Sequence, residues 1–412
     1  MKKIFHILLL IFLSFQAAQA CTTAVISGKF TKDGRPMLWK HRDTWAINNK
    51  IMTFNDGKYR YMGLVNSMDK SGKSIWIGYN SAGFAIMNSA SYNLNNDTIK
   101  QTGLEGRLMK EALRNCASID DFEAILKAMN RPTRLEANFG VIDANGGAAY
   151  FELSNFGYVK YDATDPVVAP YGYIIRTNHS MSGKLGKGGG YIRYVTTDNE
   201  FLMAIKENRL TPKTIIQNCT RNMTNSLTKV DLNSFSNIPS NHPTYVSFTD
   251  YVPRNGTSSS IVVQGVKKGN SSKNAVMWAV LGWPLASVCI PLWLNEKVEL
   301  PKIVQYDDNI KDSPLCNMAL QAKKSAFSYQ WGYSSKYYIN VNALLNSDNT
   351  GLIQLITPFE NKIFEKAQFM IKKWNGTPVD SDIKEFYKWI DKNVTNFFYS
   401  KWKINPVKIQ KK

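Results

Sequence analysis

The stretch AQACTTAVISG, residues 18–28, joins a small-x-small cleavage site to a segment with the composition of a β-strand. A basic start and an apolar run over residues 4–15 precede it, so residues 1–20 are predicted to be a signal peptide. Cleavage after Ala20 would make Cys21 the first residue of an exported chain. A thiol and an unblocked α-amine would then share one Cα atom, at the start of a strand.

Three interpretations of Cys21 follow from this position. An α-amine has a pKa of about 8, so it can act as the base for a nucleophilic thiol on the same residue. A lipoprotein cysteine would instead be acylated, but Ala18 stands where such signals carry a large aliphatic residue, so the sequence favours export without an anchor. A structural cysteine is the third reading, and three disulfide pairings are open to the four remaining cysteines, Cys116, Cys219, Cys289 and Cys316.

Composition limits the function further. The 412 residues are 44% hydrophobic, enough to bury a sizeable core, and no apolar run after residue 20 reaches the length of a membrane helix. The formal charge of +19 comes from scattered lysines without a nucleic-acid-binding motif, which predicts a solvated basic surface. No cysteine–histidine cluster indicates a metal. We therefore expect an exported protein, periplasmic or extracellular, with no metal, cofactor, nucleic acid or integral membrane segment.

Two types of periodicity divide the chain. Short strand-like segments with turn signals dominate up to residue 90 and return near residues 139–152, 173–177 and 258–292, with helical segments between them. Ser118 with Asp121 predicts the capped start of one such helix. Residues 315–327, 352–373 and 382–398 have helical periodicity. Strand runs alternating with helix pairs predict two sheets with helices on their outer faces.

Five short motifs, in order, resemble those of the N-terminal-nucleophile hydrolases. The relevant branch contains penicillin V acylase, bile salt hydrolase, the acyl-CoA:6-aminopenicillanic acid acyltransferase and the acid amidases. The motifs are Cys21-Thr22-Thr23 followed by Lys40-His41-Arg42-Asp43, Asn80-Ser81-Ala82-Gly83-Phe84 followed by Met87-Asn88, the segment 138–152 with Asp143 and Gly146, Thr177-Asn178-His179, and Arg193-Tyr194. The resemblance covers residues 21–300. It implies an α+β, four-layer αββα sandwich, here with a C-terminal helical extension over residues 301–412 packed on the core.

The resemblance also implies site residues. Cys21 would be the nucleophile and Asp43 would hold its amine or thiol. Asn178 and Asn88 would donate hydrogen bonds to the oxyanion, and Arg193 would lie near the thiol.

One departure concerns the end of the second strand. Many relatives have Arg-Asn-x-Asp where this chain has Lys40-His41-Arg42-Asp43. We favour Lys40 as the cation in the site and expect Arg42 to face away from Asp43. Since the α-amine serves as base, His41 and His179 are interpreted as structural.

The sequence thus predicts an exported N-terminal-cysteine amidohydrolase that cleaves linear amides of N-acylated small molecules through an acyl thioester. An acyltransferase that passes the same thioester to an amine is one alternative, and a lipid-anchored, catalytically silent binding protein is another. Signal peptidase would be the maturation partner, and association into a homo-oligomer is left open. The tryptophan-rich stretches 39–45 and 278–293 would either line an acyl pocket or pack in the core.

Overall fold

The computed structural model describes residues 20–329 and 335–406. Except for Ala20, the predicted signal peptide lies outside the described residues, so its prediction stays open. Cys21 begins the first strand, as the Thr- and Val-rich composition predicts. All five cysteines lie in the described segments, where they are buried and form no disulfide.

Six antiparallel strands form the first sheet, in the order β10-β1-β2-β12-β13-β14. Their bounds are Cys21–Ile26 (β1), Met37–Asp43 (β2), Tyr173–Arg176 (β10), Thr257–Gln264 (β12), Val276–Leu281 (β13) and Cys289–Leu292 (β14). The strand β1 therefore lies between two neighbours, which fixes its first residue from both sides. Before the last strand, residues 284–286 form a 3₁₀ turn that begins at Pro284.

Seven strands form the second sheet in sequence order, β3 to β9. Their bounds are Asn49–Phe54 (β3), Tyr61–Asn66 (β4), Ile77–Asn80 (β5), Ala85–Ala90 (β6), Ala137–Ile142 (β7), Ala148–Leu153 (β8) and Tyr158–Asp162 (β9). A separate pair joins β11 (Tyr245–Ser247) to β15 (Tyr338–Asn340). Most of these neighbours are joined by short connections, whereas β6 and β7 pair across the segment that contains α1 and α2.

The helices cover the outer faces of the sheets. Their bounds are Glu105–Asn115 (α1), Ile119–Ala128 (α2), Tyr191–Lys206 (α3), Pro212–Thr214 (α4), Pro314–Ala326 (α5), Leu352–Trp374 (α6) and Asp380–Trp402 (α7). Both predicted capping bonds are present at the start of α2, between Ser118 and Asp121. Among the described residues, no helix combines the length and apolarity needed to cross a membrane.

Contacts between elements establish four layers. The strands β1 and β2 face β6 and β7 of the second sheet, α1 packs on β5 and β6, and α3, α5 and α6 pack on the first sheet. One apolar core fills the space between the sheets and under α5 to α7, and a second lies between β4–β8 and α1–α2. The αββα class predicted from the sequence is confirmed. The boundary at residue 300 stays a prediction.

Candidate active site

The register of β1 against β2 decides which side chains accompany the Cys21 thiol. Cys21 lies opposite Arg42, and Thr23 lies opposite Lys40. Directly opposed residues share a face and successive residues alternate, so Lys40 and Arg42 share the Cys21 face, between the sheets. His41 and Asp43 lie on the helix-covered face. Arg42 does face away from Asp43, as expected, but this places it beside Cys21 together with Lys40, so the site contains both cations.

The backbone nitrogen of Cys21 is held by Asn178, just after β10. It donates a hydrogen bond to Asn178 Oδ1 at 3.1 Å, and Asn178 Nδ2 donates to the Ala90 carbonyl at 3.0 Å. The Asn178 side chain therefore presents its oxygen to Cys21 and accepts from the nitrogen that would become the α-amine. Its donation to an oxyanion stays a prediction.

Arg193 fastens the start of β1 to α3. Its Nη1 donates to the Cys21 carbonyl and to Thr22 Oγ1, both at 2.7 Å, and its Nη2 donates to Asn178 Oδ1 at 2.8 Å. Burial lowers the pKa of Arg193 to about 10, so the guanidinium stays charged at neutral pH. The structure thus brings Cys21, Asn178 and Arg193 together, as the resemblance implies.

Asp43 is bound by a residue that the sequence reasoning missed. Arg254 donates to Asp43 Oδ2 from Nε at 3.0 Å and from Nη2 at 2.5 Å, and Thr257 Oγ1 donates to Asp43 Oδ1 at 2.5 Å. Burial would raise the pKa of Asp43, but the charges of Arg254 and Arg193 and the Thr257 bond outweigh it and lower the pKa. No local motif marks Arg254, because only the pairing of β12 with β2 brings it here.

Asp43 also touches the peptide bond that cleavage would break. Its backbone N–H donates to the Ala20 carbonyl at 2.9 Å. The Asp43 carboxylate lies on the other face of β2 from the thiol, so its predicted role in holding the amine or thiol stays a prediction.

Lys40 and Asn88 meet between the two sheets. Lys40 Nζ donates to Asn88 Oδ1 at 2.7 Å and also to the Asn88 carbonyl. Among the described hydrogen bonds none engages Asn88 Nδ2, so the lysine fixes the amide with its NH₂ group available as a donor. Burial lowers the pKa of Lys40 to about 8.

Neither histidine near these motifs is placed as a base. His41 lies on the opposite face of β2 from the thiol, and burial lowers its pKa to about 4, so it is neutral at physiological pH. His179 bonds Thr177 Oγ1 through Nδ1 at 3.0 Å and stacks on Tyr191. Both positions agree with the structural interpretation.

The tryptophans of the two aromatic stretches mostly belong to the core. Four of them, Trp39, Trp278, Trp283 and Trp293, are buried, whereas Trp45 is 65% exposed. The four buried tryptophans therefore pack in the core. Trp76, which the sequence did not single out, lies instead beneath Arg42, with the guanidinium carbon 4.7 Å from the ring centre.

Four cations surround the nucleophile position. Lys40, Arg42, Arg193 and Arg254 all interact electrostatically with Cys21. This arrangement favours chemistry in which negative charge develops on sulfur or on an oxygen bound to it. Among residues 20–329 and 335–406, no group of three or more His, Cys, Asp or Glu side chains is arranged to hold a metal ion.

Comparison with known structures finds many similar chains, among them the following three. A variant of conjugated bile acid hydrolase from Clostridium perfringens is 13% identical, with 68% of this chain and 94% of that chain covered and a TM-score of 0.42. An N-acylethanolamine-hydrolyzing acid amidase ortholog from Caenorhabditis elegans is 14% identical (59% and 92% covered, TM-score 0.40). Penicillin V acylase from Agrobacterium tumefaciens is 14% identical (68% and 87% covered, TM-score 0.35).

No curated protein sequence matches the chain. The sequence model of one family matches residues 33–245, just over half of the 412 residues, and this range contains most of the motifs that carried the resemblance. The chain therefore belongs to the acyl-coenzyme A:6-aminopenicillanic acid acyl-transferase family.

Proposed function

We propose that the protein is an exported amidohydrolase with an N-terminal cysteine nucleophile, which cleaves linear amide bonds of N-acylated small molecules. One observation carries the proposal. The nitrogen of Cys21 is anchored on Asn178 at the start of an internal strand, while its thiol faces cations between the sheets. Removal of residues 1–20 would turn that nitrogen into an α-amine beside its own thiol, and no other base is needed.

The reaction would run through an acyl thioester. The α-amine takes the thiol proton, and the thiolate adds to the amide carbonyl to form a tetrahedral oxyanion. The C–N bond breaks as the protonated amine gives its proton to the leaving nitrogen. Water then loses a proton to the amine and attacks the thioester, which releases the acid and restores the thiol.

Asn88 Nδ2 is the oxyanion donor that the geometry supports best. Lys40 binds the oxygen of the Asn88 amide, Oδ1, so Nδ2 is the group of that amide that can point away from the lysine. Loss of one such donor typically costs about 10²–10³-fold in rate. Lys40 is therefore a positioning residue for Asn88 as well as a positive charge beside Cys21.

The acyl side of the substrate is proposed to be apolar. Large side chains are exposed in segments that adjoin the site: Trp45 follows Asp43, Tyr92 interacts electrostatically with Cys21, and Leu104 precedes Glu105, which interacts with Lys40. Exposed apolar residues grouped around a polar centre are typical of small-molecule sites.

The test uses the mature chain that begins at Cys21. We expect it to hydrolyse members of a panel of N-acyl amides, and Cys21→Ala to reduce turnover to background, a loss of about 10⁴–10⁶-fold. Cys21→Ser keeps a hydroxyl and the α-amine, so a small residual rate is expected. Undiminished hydrolysis by Cys21→Ala would refute the mechanism.

The state of the N-terminus tests export and maturation. Intact mass of the secreted protein should correspond to residues 21–412 with an unmodified cysteine. A mass increased by fatty acyl groups would favour the lipid-anchored binding protein, because lipidation blocks the amine. If the mature chain began at another residue, Cys21 would have no α-amine, and the proposed mechanism would lack its base.

Acyl transfer is the second candidate, and the family match favours it because the matching family is described as an acyl-transferase. The thioester would be intercepted by an amine before water. Product analysis with and without an added amine separates the two reactions: transfer gives a new amide in proportion to the amine, whereas hydrolysis gives only the free acid.

A further inference from the structure

Among the described residues, a buried arginine beside the nucleophile has no hydrogen-bond partner for either terminal nitrogen of its guanidinium. Arg42 is only 2% exposed to solvent. Within the described residues, neither its Nη1 nor its Nη2 has a hydrogen-bond partner. A buried, unpaired charge costs several kcal/mol, so native proteins normally pair such groups. An unpartnered guanidinium at this depth therefore indicates a missing anion.

Two more unpartnered groups lie next to Arg42. Ser259 on β12 is opposite Arg42 in register, so its side chain shares the same face, and its Oγ is buried with no partner among the described residues. The indole of Trp76 lies under the guanidinium, and its Nε1 is buried and unpartnered as well. An arginine fork, an indole N–H and a hydroxyl are a donor-rich set, which suits an anion with several acceptor oxygens.

The protein's own carboxylates are committed elsewhere. Asp43 follows Arg42 in the chain but faces the other side of β2, where it binds Arg254 and Thr257. Glu105 lies near Lys40 and is linked electrostatically to that lysine. The negative partner of Arg42 is therefore expected to come from outside the chain.

Proximity to Cys21 connects this anion to the reaction. Arg42 is the direct cross-strand partner of Cys21, and opposed residues in a sheet have Cβ atoms on the order of 5 Å apart. A group held by the guanidinium would lie within a few bonds of a carbonyl carbon at the sulfur. A substrate anion farther from the scissile bond would not reach the Arg42 guanidinium.

We propose that Arg42, Ser259 and Trp76 form a carboxylate subsite, so that the preferred substrates are amides with a carboxylate a few bonds from the scissile C–N bond. This inference rests on the proposed amidohydrolase function and adds the substrate class. The carboxylate can belong to either side of the amide: to the amine, as in an N-acyl amino acid, or to the acid, as in the mono-amide of a short dicarboxylic acid.

Matched substrates test the preference and its source. N-octanoylglycine and N-octanoylglycinamide differ only in the carboxylate, and N-octylsuccinamic acid moves the carboxylate to the acyl side. The mature enzyme should cleave one of the two acids about 10- to 100-fold faster in kcat/KM than the neutral amide, the value of a charge-assisted, buried contact. Equal rates for all three compounds would overturn the subsite.

Arg42→Met keeps an unbranched side chain and removes the guanidinium and its charge. It should abolish the preference, because kcat/KM for the favoured acid should fall about 10- to 100-fold more than kcat/KM for the neutral amide. Arg42→Lys should restore part of the preference, since the charge returns without the fork. If Arg42→Met slows acid and neutral substrates alike, the arginine serves the thiol and not a substrate carboxylate.

Neighbouring serines provide a matched control. Ser259→Ala removes a hydroxyl from the proposed subsite and should lower only the rate with the favoured acid. Ser260→Ala removes the next hydroxyl, which faces the opposite side and bonds Trp39 and Thr220. It should leave the acid-to-neutral ratio unchanged. A ratio altered by Ser260→Ala and not by Ser259→Ala would contradict the assignment.

Binding separates failure of the subsite from failure of the proposed function. Calorimetry with the mature Cys21→Ala protein should detect N-octanoylglycine or N-octylsuccinamic acid, and the additional Arg42→Met change should abolish this binding. Arg42→Met alone should unfold at an equal or higher temperature without ligand, because it replaces a buried unpaired charge by an apolar chain. Binding without turnover in the wild type would refute the hydrolase and keep the subsite, and no difference between the proteins would refute the subsite.

Discussion

At the residue scale, the site depends on which backbone and side-chain atoms are held before substrate arrives. Asn178 fixes the Cys21 nitrogen, Arg193 fixes the Cys21 carbonyl, and Lys40 fixes the Asn88 amide. In the proposed mechanism, these three contacts would orient the base, the nucleophile and an oxyanion donor. Such preorganisation removes orientational cost from the reaction itself.

Lys40 gives the site a specific dependence on pH. Its pKa is lowered by burial from 10.5 to about 8, so the ammonium that orients Asn88 loses its proton as the pH rises through about 8. We expect kcat/KM of the mature enzyme to fall above that pH. Lys40→Arg should move this alkaline limb to higher pH, whereas Lys40→Met should remove it and lower the rate at pH 7 about 10²-fold, as for a lost oxyanion contact.

The same lysine links stability to pH with a defined sign. Its folded pKa is below its unfolded pKa, so between about pH 8 and 10.5 the unfolded state binds more protons. The contribution of Lys40 to the free energy of unfolding therefore rises with pH across that window. Urea unfolding at several pH values should show this rise in wild type and a flatter profile in Lys40→Met. Identical profiles would contradict the lowered pKa.

At the element scale, the turn before α3 sets the position of Arg193. Gly190 precedes the helix with φ of +84°, and a Cβ there would collide with the Arg193 guanidinium and lie 2.8 Å from the Thr177 side chain. Only glycine satisfies both the left-handed backbone and the close approach. The β10-to-α3 loop therefore carries Asn178 near its start, and the turn at its end positions Arg193 against Cys21 and Asn178.

Gly190→Ala tests this role of the turn. We expect a large loss of activity, because Arg193 must move away from Cys21 and Asn178, and a loss of about 1–3 kcal/mol in the free energy of unfolding. Gly189→Ala is the matched control, since nothing lies within 4 Å of a Cβ at that position. Activity and thermal unfolding should be measured for both variants. Equal activity in the two variants would contradict the proposed role of the turn.

At the scale of the whole molecule, Glu360 joins the C-terminal helix α6 to Arg221 through a buried ion pair and to strand β14 of the first sheet through a hydrogen bond. Glu360 on α6 accepts hydrogen bonds from Arg221 at 2.7 and 2.8 Å and from the Cys289 backbone nitrogen at 2.8 Å. Both side chains of the pair are almost completely buried. The helices thus contribute to the core that supports β14 and its neighbours.

Glu360→Gln should therefore destabilise the entire chain. Removal of one member of a buried pair leaves the other charge unpaired and costs about 3–5 kcal/mol. Denaturant unfolding should show this loss in a single transition if α6 folds together with the sheets. Lys373→Met, which removes an exposed partner of Asp382, is the control and should cost less than about 1 kcal/mol. A small change in Glu360→Gln, or two separate transitions, would indicate an independent extension.

The sequence predicted much of this architecture because its signals are local. Strand alternation, the Ser118 cap and the helical periods of the tail act within a few residues, and the resulting elements are found where the patterns place them. It could not place Arg254, because 211 residues separate that arginine from Asp43. Of Lys40 and Arg42 it assigned only Lys40 to the site, although the register of β1 against β2 places Arg42 there as well.

The sequence by itself determined that a cysteine stands at the start of a strand, directly after a predicted cleavage site, and which motifs the chain shares with its family. These properties depend on covalent order and on short-range periodicity. Only the tertiary structure decided that Asn178 meets the Cys21 nitrogen, that Asp43 pairs with Arg254, and that the buried Arg42 guanidinium has no hydrogen-bond partner for its terminal nitrogens within the described segments. Those contacts depend on strand register and sheet packing, which bring together side chains far apart in the chain.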